Sequence, residues 1–266
     1  MTIAAGYHCY EGIVLCADTE ETVQEYIKHD VPKIFRFPDA WDYKPELNCA
    51  LFAGAGDGPL IESLALKMWK GTKSLKDASL DDMVTAFEDV LFKEYQRLVP
   101  AYQKDSMPQA HFMVAIRSAA HKDLELIRIT GPVIERQLPY GAIGYGLTLH
   151  TYLASRFLYP KTGLNFTANV MTYMIDQVKT HVTNCGGNTD LYMLDYEGKV
   201  KVESQQDTQR RTDMLREIDT VARYIAGLAM NPSTTRETAQ PIIEHYMNEL
   251  FKKIDLSASQ NSKDKQ

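Results

Sequence analysis

Thr2, Asp18, Lys33 and Gly54 are the residue types that an amide-cleaving site needs, and they follow one another in an order that could assemble one. If Met1 is removed, which the small Thr2 behind it permits, Thr2 presents a hydroxyl nucleophile and a free α-amine on one carbon. Such an amine ordinarily titrates at about 7.7–8.0, so a fraction is neutral at pH 7 and can accept the hydroxyl proton. A nearby cation favours the neutral amine, and Lys33 is the candidate cation. A lysine held there needs a carboxylate to keep it charged and oriented, which Asp18, closing the run Ile13–Ala17, could supply. Acyl transfer also needs a donor aimed at the developing oxyanion, and the backbone amide of Gly54, where an apolar run breaks into a glycine-rich turn, is suited to that. Each residue has a plain structural reading too, as a strand end, a strand start or a turn; their joint order makes them a candidate site.

Other chemistries find less support. Gly54, Gly56 and Gly58 space as G-x-G-x-G, but Pro59 stands where G-x-G-x-x-G ends, and no Gly-Lys-Ser/Thr follows, so a nucleotide loop is not indicated. There is no G-x-S-x-G elbow. The seven histidines show no HExxH spacing, and the four cysteines, Cys9, Cys16, Cys49 and Cys185, lie in separate apolar segments without CxxC pairing. They read as buried thiols, and neither a metal nor an organic cofactor is expected. The formal charge of −6 comes from 35 acids and 29 bases with both signs interspersed, which argues against a nucleic-acid partner. No basic-then-apolar leader opens the chain and no window approaches about 18 uninterrupted apolar residues, so a cytoplasmic protein without membrane contact is expected.

The elements that must position the candidate residues alternate in blocks. Ile3–His8 and Ile13–Ala17 predict a hairpin around Tyr10-Glu11-Gly12, Thr19–Asp30 reads as a polar span, and Ile34–Phe37 and Asn48–Ala53 predict two further strands. Asp57 is a plausible N-cap for a helix reaching Lys70, and the 3.6-residue period from Leu80 to Leu98 predicts a second. His111–Arg117, Leu124–Ile129, Val133–Gln137 and Ala142-Ile143 read as a meander. Two helices follow, from Leu147 and through Val170–Val182, and then a hairpin over 190–203. Strands and helices in blocks favour α+β packing with antiparallel sheets and helices segregated by face. The expected division is a main domain over 2–206, a helical extension over 207–256 and a polar, disordered tail over 257–266.

Taken together, Met1-Thr2-Ile3, Gly12-Ile-Val-Leu-Cys-Ala-Asp-Thr19, Lys33-Ile-Phe-Arg-Phe37, Phe52-Ala-Gly-Ala-Gly-Asp-Gly58 and Ala142-Ile-Gly-Tyr-Gly146 resemble proteasome β-type subunits and their bacterial proteasome-like relatives, the peptidase subunits of ATP-dependent ring proteases. The resemblance covers about residues 2–203. The step from Thr2 to Asp18 matches the family's, and a one-residue gap in the polar span brings Lys33 into place. It implies the four-layer αββα sandwich of N-terminal nucleophile (Ntn) hydrolases, here with extra C-terminal helices. It further implies a threonine peptidase acting on peptide or protein substrates within a homo-oligomeric ring, with an ATP-dependent unfoldase as a further partner. Thr2 then corresponds to the nucleophile and base, Asp18 and Lys33 to its charge partners, Gly54 to the oxyanion donor, and Thr22 to the position whose backbone pairs with an extended substrate. The chain departs from the pattern at Tyr145, where the family has a serine, at Val182 and Cys185, where it has an Asp and a Ser beside the nucleophile, and at Glu20, where an Arg is common. Tyr145 and Cys185 are therefore read as supporting residues. Two alternatives stay open: a non-catalytic assembly subunit, and a small-molecule amidase on the same fold.

Overall fold

The structure, a computed structural model, describes residues 2–263 apart from 24–26, 40–43, 45, 74, 76, 103–106 and 160, with the backbone alone at 22–23, 27–28, 250–251 and 253–263. Its first elements are β1 (Ile3–Cys9), β2 (Gly12–Asp18), β3 (Glu20–Val23), β4 (Ile27–Asp30), β5 (Ile34–Phe37) and β6 (Cys49–Gly56). Helices α1 (Gly58–Thr72) and α2 (Leu80–Leu98) precede β7 (Ala110–Ser118), β8 (Asp123–Thr130), β9 (Val133–Glu135) and β10 (Tyr140–Gly144). Helices α3 (Leu147–Phe157) and α4 (Leu164–His181), strands β11 (Thr189–Asp195) and β12 (Val200–Val202), and helices α5 (Gln205–Met230) and α6 (Arg236–Lys263) complete the chain.

Among the described residues the strands form three antiparallel sheets. One has the order β10-β1-β2-β11-β12, another β5-β6-β7-β8-β9, and β3 pairs with β4 alone. That last hairpin lies in the span 19–30, which composition reads only as polar. Its pairing needs no apolar alternation, because Thr19, Asp30 and Asn188 tie its open end by side-chain hydrogen bonds.

Among the described residues, the alternation of side chains along each strand divides the core into three clusters. Ala50 and Phe52 on β6 face α1 and α2, meeting Leu64, Met68, Met83 and Phe87, while Leu51 and Ala53 face the other way toward Leu15, Ala17 and Met113. Ile3, Ala5 and Tyr7 on β1 pack with Met171, Met174 and Val178 of α4, while Ala4 belongs with Leu15 and Leu51. The two five-stranded sheets approach closely at Gly6, where a Cβ would stand 2.7 Å from Leu126 Cδ1. The helices start where local chemistry satisfies their free amides. Asp57 accepts from Leu60 N at 2.9 Å, and Ser79 and Asp82 form a reciprocal capping box.

The chain separates into a unit over Met1–Arg211 and a second over Thr212–Gln266. Within the second, Tyr224 of α5 packs on Tyr246 of α6 with ring centroids 5.1 Å apart. Helix α6 includes residues 257–263 of the expected tail; 264–266 lie outside the described residues. No helix among the described residues is long and apolar enough to cross a membrane.

Candidate active site

Thr2 sits immediately before β1, almost buried at 7% exposure, with Met1 outside the described residues. Two strands fix its backbone. Ile3 pairs with Gly144 across β1–β10, and the Thr2 carbonyl accepts the Tyr145 amide at 2.8 Å. Gly144 is left-handed at φ +91°, and a Cβ there would lie 2.1 Å from the Thr2 carbonyl oxygen, so only glycine lets β10 come this close.

Asp18 ends β2 opposite Thr189 of β11 and is fully buried. Its Oδ1 accepts from the Ile3 amide at 3.1 Å and from Lys33 Nζ at 2.9 Å, and its Oδ2 accepts from the Gly186 amide at 3.0 Å. Lys33, just before β5, spends its three N–H bonds on Thr2 Oγ1, Asp18 Oδ1 and the Glu20 carbonyl, the last at 2.6 Å. Burial raises the Asp18 carboxyl above its ordinary range, and Lys33 with the two amides acts in the opposite direction. A second carboxylate stands behind the lysine: Asp190 Oδ2 accepts the Lys33 backbone amide at 3.3 Å, and burial pushes this acid upward as well.

Three of the four residues singled out for chemistry therefore converge through their side chains. Gly54 differs. Its amide donates to the Lys33 carbonyl at 3.0 Å, so its hydrogen is committed to the junction of β5 and β6 and is not aimed at Thr2. Because Asp57 N donates to Gln109 O on the β7 side, strand alternation puts the Gly56 N–H on the same edge as that of Gly54, past the start of β5. Gly56 and Thr2 line one cavity of about 970 Å³, together with Gly144 and Tyr145.

Thr22 lies in β3 opposite Lys28. Tyr145 holds Thr2 through its backbone, while its side chain is 63% exposed at the cavity. Cys185 is buried, and burial together with the Asp18 carboxylate pushes its thiol up to about 11 against the pull of Lys33, so it is protonated at neutral pH and poorly nucleophilic. Val182 closes α4 by donating its amide to the Val178 carbonyl and packs on the apolar cluster beneath. Among the described residues no cluster of three His, Cys, Asp or Glu could hold a metal ion.

Several contributors leave little or no trace in the sequence. The Glu20 carbonyl and the Gly186 amide are backbone groups that no side-chain pattern reveals. Asp190 reads as an ordinary strand residue. The Gly186-Gly187 pair is the available signal: Gly187 is left-handed at φ +71°, and a Cβ there would lie 2.5 Å from Asp30 Oδ1 and 2.7 Å from Thr19 Oγ1.

Two antiparallel five-stranded sheets with their attendant helices, and a lysine-bridged threonine at the head of the central hairpin, go with a proteasome-like fold. Among solved structures, Anbu from Hyphomicrobium sp. strain MC1 and its Gly-1 mutant each match at a TM-score of 0.66, with 12% sequence identity, over 84% of this chain and 97% of theirs. Anbu is a bacterial proteasome-like member of the Ntn-hydrolase family, and at this identity the likeness is one of fold. No family model matches the sequence, and no curated protein does.

Proposed function

We propose that this protein is a proteasome-like threonine hydrolase that cleaves peptide amide bonds within a homo-oligomer. The observation that carries the reading is the buried ammonium of Lys33, held at once by Thr2 Oγ1, Asp18 Oδ1 and the Glu20 carbonyl. With Met1 removed, the Thr2 α-amine takes the Oγ1 proton as the oxygen attacks the amide carbonyl. The C–N bond then breaks, the leaving amine receives that proton, and an ester remains on Thr2. Water, deprotonated by the same amine, attacks the ester and restores the hydroxyl. Lys33 favours the neutral amine and lowers the energy of the developing alkoxide, and Asp18 keeps Lys33 charged. The Gly56 amide, rather than that of Gly54, serves as oxyanion donor in this reading. An extended substrate pairs with the β3 backbone at Thr22. The three core clusters are consistent with four-layer αββα packing, and ring assembly, a cytoplasmic setting and a partner unfoldase belong to the same proposal.

Intact mass of the purified protein tests the first condition: a chain that retains Met1 has no free Thr2 amine, and the mechanism then fails. In the processed protein a threonine-directed covalent probe should add one mass equivalent to Thr2. Thr2→Ala should abolish both labelling and amide hydrolysis, with Thr2→Ser intermediate. Hydrolysis that survives in Thr2→Ala moves the chemistry elsewhere. The rival reading, a non-catalytic assembly subunit, draws on the engaged Gly54 amide and the protonated Cys185, and an assembled, Met1-free protein that never labels would support it.

A further inference from the structure

Among the described residues, the cavity that Thr2 lines is walled from the β10 side of the nucleophile. Within the sheet ordered β10-β1-β2-β11-β12, β10 and β2 flank opposite edges of β1. Asp18 and the following β3 continue from the β2 edge, and Lys33 reaches that edge through the Glu20 carbonyl. Among the described residues none of β3 lines the cavity; the walls come from β10, the ends of β6 and β8, the start of β7, β9 and the start of α3. A substrate whose acyl portion runs along β3 must therefore pass its leaving-group portion over the cavity.

The walls define what that portion can be. Ala142, Ile143, Leu147, Val133 and the Tyr145 ring make an apolar surround, of which Val133 and Tyr145 are 58% and 63% exposed in the free protein. The polar groups present carry little net charge. Arg128 is neutralised by Glu135 in an ion pair at 2.5 Å, and burial lowers the His111 imidazole below its usual range, leaving it neutral at pH 7. Thr130 adds a hydroxyl at the rim. A volume of about 970 Å³ leaves ample room for an aromatic side chain.

We propose that this cavity binds the residue on the leaving-group side of the scissile amide and selects a bulky, uncharged, preferably aromatic side chain there. The inference rests on Thr2 being the nucleophile, but its binding component can be measured without turnover. A site of this kind discriminates through apolar contact that a small residue cannot make, and contact of that sort is worth about tenfold or more in specificity.

Tyrosinamide, the smallest fragment carrying the leaving amine and an aromatic side chain, is the probe. Ligand-observed NMR on the Met1-free protein should show it binding at least about tenfold more tightly than glycinamide, which has the same charge. Val133→Lys and, separately, Leu147→Lys place an ammonium in the apolar surround at exposed positions and should weaken tyrosinamide by a similar factor. In parallel, two peptides with the same acyl half and Tyr or Gly after the scissile bond should differ by about tenfold or more in kcat/KM, and the ratio should collapse in Val133→Lys. Equal binding of the two amides, or tyrosinamide binding indifferent to both lysine variants, overturns the assignment. Failure of Thr2 to take up the threonine-directed probe overturns the nucleophile instead and leaves the tyrosinamide result to decide the cavity.

Discussion

Lys33 carries two roles that single substitutions would confuse. A buried ammonium with three acceptors is fully satisfied, and a buried carboxylate with one cation and two amides is nearly so. Removing either partner strands the other in a medium that solvates charge poorly, and breaking such a pair costs about 3–5 kcal/mol. Lys33→Met and Asp18→Asn should therefore each lower the urea midpoint strongly and abolish labelling of Thr2. In the double variant neither full charge remains, so stability should recover by a large part of the sum while labelling stays absent. Labelling that returns with stability would mean that Lys33 only supports the fold. The same site sets an acid limit. Labelling falls first as the Thr2 α-amine protonates; because burial raises Asp18, a further loss below that step should come above the ordinary carboxylate range.

At the scale of elements, the site depends on β10 being pressed against the start of β1. Gly144 permits this, since its φ of +91° and the 2.1 Å approach of a built Cβ to the Thr2 carbonyl leave no room for a side chain. Gly144→Ala should push Thr2 out of register with Lys33 and reduce labelling by at least about tenfold, with a stability loss of roughly 1–3 kcal/mol from the strained backbone. Gly227 is the matched control. It lies within α5 with nothing within 4 Å of a built Cβ, so Gly227→Ala should leave labelling intact and stabilise its helix by up to about 1 kcal/mol. Equal labelling in Gly144→Ala and Gly227→Ala would refute the dependence on β10. The contrast also marks what is legible in the sequence. Hydrophobic period reveals the β1–β2 hairpin, the apolar β6 and the stripes of α1 and α2, and hence the order Thr2, Asp18, Lys33. It does not reveal the β3–β4 hairpin, whose ends are tied by Thr19, Asp30 and Asn188 rather than by apolar alternation. Nor does it reveal that the Gly54 amide is committed to the Lys33 carbonyl. That follows from the register Ile34↔Ala53, and register is a property of strand pairs that a single run of residues does not encode.

For the molecule as a whole, the acid response of stability should be governed by a residue with no part in the proposed chemistry. His150 on α3 is fully buried, both its ring nitrogens lack a hydrogen-bond partner, and burial lowers its imidazole to about 4. In the unfolded chain the same group titrates near 6.5, so between those values the unfolded state binds the extra proton and the folded state does not. The sign follows directly. Stability is undiminished above about pH 6.5 and falls as pH drops toward 4, where the loss approaches about 3 kcal/mol at roughly 1.4 kcal/mol per unit. His150→Leu removes the titration and exchanges two unsatisfied nitrogens for apolar contact, so its stability at pH 7 should be equal or higher and nearly flat from about pH 6.5 to about 4.5 apart from the carboxylates. Both tryptophans fall at positions before 212, and Trp69 is buried in the core beside α2, so urea unfolding followed by tryptophan fluorescence reports on the unit that holds His150 and the site. A wild-type midpoint that does not move between about pH 6.5 and about 4.5, or a His150→Leu curve that moves in parallel with it, would show that the ring finds a proton acceptor when folded.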